Sequence, residues 1–421
     1  MNKRIINKNI KIYMLLCAVF SVLMIVRNWG HGINSMNATM FAFTYKYGFI
    51  SRGLVGTVYA LLNRIIPIEL MDYSWLVIVV FALTILFYAF VLLFIYICFK
   101  RISENMDSHL MKIGFVFLCF TIPMFVGQYN FGRTDMYMAF LSMLSVMLII
   151  CRKAEWLIII FSAMGVMVHQ GYVFMFFNVI LVALLYRIFT CEKKERVKYI
   201  SILAISFVVA SALFLYFELF SHIDGASAYD TIVGNAKQLS SGGEYHADVI
   251  DKEIMGIDLS DREVVWKKIN IVQVPVFIVI MLPYIVILWK VFKGIFKGCT
   301  KGIDKLRYIV MLIGIGTMLP DLLLKVDYGR WIYAIVFYYC ITWMFMMAEK
   351  DRLFEASLRD NLKYMNQVGI VSVFVLAYPI ILQPLGDVYI CDVTEHIVNF
   401  INDHIIHWWT YEDTHGATIR I

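Results

Sequence analysis

The chain has 421 residues, 61% hydrophobic and only 16% charged, whereas a soluble domain carries about 25% charged residues. This excludes a soluble enzyme, and glycine and proline are too sparse for a fibrous or disordered chain, so the class is an all-α, polytopic membrane bundle. The formal charge of +6 does not indicate nucleic acid, because the basic residues lie in short loops between apolar runs, where they set orientation.

Apolar runs long enough to span a bilayer fall near 13–27, 74–98, 113–128, 134–151, 156–170, 171–189, 199–219, 271–292, 308–325, 331–348 and 365–383, about eleven in all. The opening Met1-Asn2-Lys3-Arg4 leads into the first run with no small-residue cleavage site, which predicts an uncleaved span. With the N-terminus inside, the inner segments hold 24 of the 37 lysines and arginines, so the expected topology is N-in and C-out in a plasma or inner membrane. The eight cysteines fall mostly at the inner side or within spans, and no C-x-x-C motif occurs.

Two units follow: a transmembrane body over 1–385 and a tail over 386–421. In the first outer loop, Gly53 to Ile66 is apolar enough to lie at the interface as a short helix ending at Pro67. Segment 220–270 is the one sizeable hydrophilic insertion, with Ser240-Ser241-Gly242-Gly243 as a flexible tip and Asp261 to Asn270 as a helix leading into the next span; such loops are often lids. In the tail, Asp392-Val393-Thr394-Glu395 fits a helix start. Ile397, Phe400, Ile401, Ile405, Trp408 and Trp409 make one apolar stripe, as of a helix lying on the outer leaflet.

Polar residues at membrane depth cost about 2.5 to 3.5 kcal/mol each at the bilayer centre, so they persist where they are paired, wet or useful. Gln128-Tyr129-Asn130-Phe131-Gly132-Arg133-Thr134-Asp135 is such a knot, Asp327-Tyr328-Gly329-Arg330 repeats its aromatic-Gly-Arg step, and Tyr47 to Gly53 brings Arg52. The charge-derived topology puts all three outside, together with His169 and Gln170. Guanidinium forks hold phosphate bidentately and keep their charge, so Arg52, Arg133 and Arg330 suit an anionic ligand at headgroup depth. The plainer role is snorkelling, or pairing with a neighbouring acid. Asp135 and Asp327 are candidate bases or metal ligands, with an Asp-Arg pair inside each knot as the structural alternative. Asp321 has Lys325 as its obvious partner one turn on. His169 is a candidate base near neutral pH, or a satisfied residue at a helix end. The outer loops lack the closely spaced ligands of a zinc site. Asn37-Ala38-Thr39 matches a glycosylation acceptor by chance composition.

Tyr-Gly-Phe-Ile-Ser-Arg-Gly-Leu after the first span, Gly-Arg-Thr-Asp at a span start, His169 at an outer helix end and Asp-Tyr-Gly-Arg-Trp near the end together resemble bacterial surface-polysaccharide polymerases. These are of the O-antigen and exopolysaccharide type and are related to C-type glycosyltransferases; the resemblance covers roughly 10–385. It implies an enzyme that joins sugars from polyprenyl-phosphate or pyrophosphate carriers to a saccharide acceptor at the outer face of the bilayer. By the same resemblance Arg52, Arg133 and Arg330 bind pyrophosphate, with Asp327 and Gln170 beside them, and His169 or Asp135 is the base. Relatives often carry a glutamate where this chain has Gln170, and metal-dependent relatives keep an acid in the first outer loop, where residues 28–68 have none. The expectation is therefore a metal-free reaction with no cofactor. Two other classes stay open: a flippase or transporter of lipid-linked saccharide, and a non-catalytic assembly subunit. A secondary transporter commonly shows an internal repeat or a pair of broken helices in corresponding halves, and neither is legible here.

Overall fold

The computed structural model describes residues 15, 18–19, 22, 26, 32–66, 71–103, 106–126, 131–221, 223, 226–247, 249–250, 269–319, 328–362, 410–412 and 418–420. The first expected span lies almost wholly outside these residues. So do the run 365–383, the helix expected before Asn270 save its last two residues, the tail stripe, Asp321, Lys325 and Asp327.

The helices in chain order are α1 (Ser35–Met40), α2 (Gly53–Ile65), α3 (Tyr73–Phe99), α4 (Asp107–Val126), α5 (Asp135–Cys151), α6 (Leu157–Val168), α7 (Tyr172–Met175) and α8 (Phe177–Thr190). They continue with α9 (Lys193–Phe220), α10 (Ala226–Leu239), α11 (Ile269–Gly298), α12 (Gly302–Ile313), α13 (Tyr328–Ala348) and α14 (Arg352–Leu362). A small ribbon, β1 (Thr410–Glu412) paired antiparallel with β2 (Thr418–Arg420), is the one non-helical pairing among the described residues.

Two helices, α3 and α9, are long and apolar enough to cross a membrane, and α5, α6, α8 and the Tyr333–Ala348 part of α13 are shorter apolar helices. Only 39% of the most apolar stretch of α3 and 22% of that of α9 is buried. Ile85, Leu86 and Leu93 on α3, Phe207, Val208 and Leu215 on α9, and Ile278, Leu282 and Ile285 on α11 all face outward. A water-exposed protein does not display apolar surface on this scale, so the natural solvent for these faces is lipid.

The pillar of the bundle is α13, which packs against α3, α4, α5, α8, α11 and α14. Its side chains from Tyr333 to Ala348 are nearly all buried where described. Hydroxyl groups in this interior fold back on their own helices: Thr84 donates to the Val80 carbonyl, Ser145 to Leu141 and Ser162 to Ile158. Such bonds satisfy polar groups where water is absent.

The run 171–189 is not one helix. It breaks at Phe176, between α7 and α8, and the carbonyls freed there are met by hydroxyl and amide groups. Ser142 Oγ donates to the Phe176 oxygen at 2.9 Å, and Thr317 Oγ1 and Asn178 Nδ2 donate to Phe174 at 3.2 and 3.3 Å. Thr317 belongs to a second irregular piece, the 3₁₀ turn Gly314–Met318 that ends α12 and packs on α7 and α8. The two irregular pieces meet through Thr317, whose hydroxyl reaches the Phe174 carbonyl.

The helix ends gather at two places. Arg187, Ile149 and Glu349 meet at one end, and Asp135 and Arg330 at the other. That second end carries a cap. Residues of the first loop (Met40, Ala42, Phe43, Ile50) and of the 220–250 segment (Ile223, Ile232, Ala236, Val249, Ile250) form a small hydrophobic core of their own. The expected interfacial helix is α2, which lies against α6. It seats closely on the preceding loop because Gly56 has no side chain; a Cβ there would stand 2.0 Å from the Phe43 carbonyl oxygen. In the Ser240–Gly243 tip Ser240 is buried, and Ser241 to Gly243 form an exposed turn with Gly242 and Gly243 in left-handed conformations.

Candidate functional site

The knot before α5 is held by backbone geometry and by a neighbour distant in sequence. Gly132 adopts φ 85°, a conformation that suits glycine, and this turns the chain so that Arg133 precedes Thr134, the N-cap of α5. From the first loop, Asn37 Nδ2 donates to the Phe131 carbonyl at 3.0 Å. Asn37 is buried by this contact, so its amide is not presented as a glycan acceptor.

Asp135 opens α5 fully buried. The residue that reaches it most closely is Arg330, at the start of α13, with Nη2 2.7 Å from Oδ1. Arg133 Nε stands 3.6 Å from Oδ2. One carboxylate thus bridges two guanidinium groups from knots almost two hundred residues apart. Beyond the ion pair with Arg133, Oδ2 has no hydrogen bond among the described residues. The position of Asp135 in the first turn of α5 also suits a carboxylate, because the helix dipole is positive there.

The turn after α6 forms the second part. His169 ends α6 in an extended conformation, and its Nδ1 accepts the Gly171 N–H at 2.8 Å. A nitrogen that accepts carries no proton, so the neutral ring holds its hydrogen on Nε2 and presents a donor there. Beside it the Gln170 amide oxygen accepts a short hydrogen bond from Ser51 Oγ. The Ser51 N–H in turn donates to Ser221 Oγ at 2.7 Å, and Tyr45 Oη to the Met167 carbonyl at 3.5 Å. The first loop is therefore fastened both to the Asp135 knot, through Asn37, and to the His169 turn, through Ser51.

Arg52 follows Ser51 with φ 60°, uncommon for a residue with a side chain. It is the N-cap of α2 and its Nη1 lies 3.5 Å from Met40 Sδ. Of the three arginines, Arg133 and Arg330 are brought together on one acid, while Arg52 stands in the loop that adjoins them. Asp327 lies outside the described residues.

The opposite end holds a cluster that spacing along the chain does not reveal. Arg187 forks onto Glu349, both contacts at 2.6 Å. Asp351 accepts from Tyr186 Oη at 2.8 Å, Tyr308 Oη at 2.5 Å and the Phe354 N–H at 2.9 Å, and pairs with Arg307 at 3.4 Å. In the sequence Glu349 and Asp351 look like ordinary loop charges. The one available signal was Arg187, a cation placed at the end of an apolar run.

Among the described residues no three His, Cys, Asp or Glu side chains gather as a set of metal ligands. No protein-family model, curated protein or solved structure matches this chain.

Proposed function

We propose that the chain is a multi-pass plasma- or inner-membrane glycosyltransferase of the polysaccharide-polymerase kind, joining polyprenyl-phosphate-linked sugars at the extracytoplasmic face. The single observation that carries this reading is the bridge Arg330–Asp135–Arg133, set among lipid-facing helices and beneath a cap. Two forked cations held by one carboxylate form an anion site with an occupant in place: an arriving phosphate or pyrophosphate takes over the guanidinium groups that Asp135 holds in the empty state.

The chemistry then assigns itself. The acceptor hydroxyl oxygen attacks the anomeric carbon, a new glycosidic bond forms, and the bond from that carbon to the carrier phosphate breaks, its electron pair leaving with the phosphate. Arg330 and Arg133 stabilise that charge by preorganised electrostatics. Asp135, released from the arginines, accepts the hydroxyl proton. His169, whose ring donates from Nε2, fits a hydrogen bond to a phosphate oxygen better than it fits a base.

A second reading, translocation of the same lipid-linked saccharide, is favoured by the two meeting interruptions at Phe176 and Gly314–Met318, since broken helices commonly line transport sites. Full-length protein in liposomes, given a polyprenyl-pyrophosphate-linked saccharide and an acceptor, separates the two. New glycosidic bonds support transfer. Movement of the donor between leaflets with no new bond supports translocation and defeats transfer.

A further inference from the structure

Away from the arginine bridge, at the end of the bundle that holds Asp351, α11 and α12 form a hairpin whose outer side has no partner among the described residues. One face of α11 carries exposed Ile278, Leu282, Ile285, Val286 and Trp289, in that order toward its C-terminus. The same arc continues as Lys290, Lys293 and Lys297, all exposed, since steps of three and four residues stay on one side of a helix. Across the turn α12 repeats the pattern in reverse: Lys301 and Lys305 are exposed and lead into exposed Ile309 and Ile313. Each helix therefore passes from acyl-like surface, through a tryptophan on α11, to a row of ammonium groups.

The balance of charge in this hairpin is unlike that of the neighbouring basic run. At the start of α9, Lys193, Lys194 and Arg196 alternate with Glu192 and Glu195, and Lys198 is paired with Glu155 at 3.0 Å. Between 290 and 307 the one acid is Asp304, which lies 3.5 Å from Arg307. A gathering of lysines on two adjoining helices complements the charge of a row of phosphodiesters.

We propose that the α11–α12 hairpin is a binding site for anionic phospholipid headgroups, the lysines meeting the phosphates and the apolar faces above them meeting the acyl chains. It rests on the membrane reading but not on the transfer reaction.

The test uses full-length protein in neutral detergent with fluorescent phosphatidylglycerol and phosphatidylcholine as probes. Phosphatidylglycerol binds more tightly, and added salt weakens it. The Lys293→Gln/Lys297→Gln/Lys301→Gln variant binds it about tenfold more weakly, whereas the corresponding triple arginine variant keeps the affinity. If the glutamine triple does not fold, Lys293→Gln and Lys301→Gln singly carry the test, each weakening binding about two- to threefold. Equal binding of the two lipids, wild-type affinity in the glutamine variants, loss of affinity in the arginine variant, or displacement by inorganic phosphate at the lipid's own concentration would each overturn the proposal. Arg330→Lys leaves this binding unchanged, so failure here and failure of the transfer reaction are read separately.

Discussion

The two ends of the bundle use the same kinds of side chain to different degrees of completion. At the Asp351 end two carboxylates have both oxygens engaged: Glu349 meets the Arg187 fork with both, and Asp351 collects two phenols, a backbone N–H and Arg307, while Glu355 Oε1 nearby has no hydrogen bond among the described residues. At the Asp135 end one oxygen has a close partner in Arg330, and the other has an ion pair at 3.6 Å but no hydrogen bond among the described residues. A saturated buried pair holds helices in register, and removing one member strands the other in a low dielectric. A pair with an oxygen to spare holds its arginines in a form that a better anion can take over. On the proposed reading, the completeness of the bonding around Glu349 and Asp351, more than the presence of charge at depth, separates them from Asp135.

The largest expected effect breaks the saturated end. Asp351→Ala leaves two phenols, an N–H and Arg307 without their acceptor, a loss of about 3 to 5 kcal/mol. Folded protein recovered from the membrane falls steeply, as gel-filtration profiles of a fluorescent fusion will show. At the other end Arg330→Lys keeps the charge and loses the fork, so folded yield stays near wild type while transfer drops on the order of a hundredfold or more. Equal loss of folded protein in both variants would erase the contrast between the ends.

Much of this contrast was visible in the chain, and part of it was not. The apolar runs give α3, α5, α6 and α13 close to their observed limits, and the end of α9, because a helix in lipid satisfies its own backbone and only length and apolarity select it; α9 begins six residues earlier, in the basic run at Lys193. The knots at Arg133 and Arg330 stood out for the same reason, as polar residues where polarity is costly. Their meeting on a single acid depends on how α5 and α13 pack, which no local spacing encodes; pairing of Asp135 with nearby Arg133 was one expectation, and the closer contact comes from Arg330. The break at Phe176 was hidden because the carbonyls it frees are satisfied by Ser142 and Thr317 from other helices. The cap core was hidden because its two halves are separate loops, each too short to show a pattern.

Smaller changes sharpen the comparison. Ser51→Ala removes the hydroxyl that ties the first loop to Gln170 and costs about 1 kcal/mol; transfer falls several-fold with little change in melting temperature, since the loop is also held through Asn37. The smallest effect is at Glu155. Burial alone would raise its carboxyl, but hydrogen bonds from Lys198, its own backbone N–H and Tyr199 hold it below its usual value. A depressed folded-state value means the contribution is present above the ordinary carboxylate range and is lost as pH falls through the folded value. Lys198 is substantially exposed, so solvent screens the pair and Glu155→Gln costs at most about 1 kcal/mol. The melting-temperature difference from wild type, clear at neutral pH, closes on acidification.

The central claim is that Asp135 holds the arginines in place of an anionic ligand, and affinity for a polyprenyl pyrophosphate probe tests it most directly. At matched folded protein, the Asp135→Asn variant binds the probe at least as tightly as wild type, because a competitor for the arginines has been weakened, and Arg330→Lys binds it distinctly more weakly. Wild-type affinity in Arg330→Lys, or loss of binding in Asp135→Asn, contradicts the claim and makes the bridge a fastening like the one around Asp351.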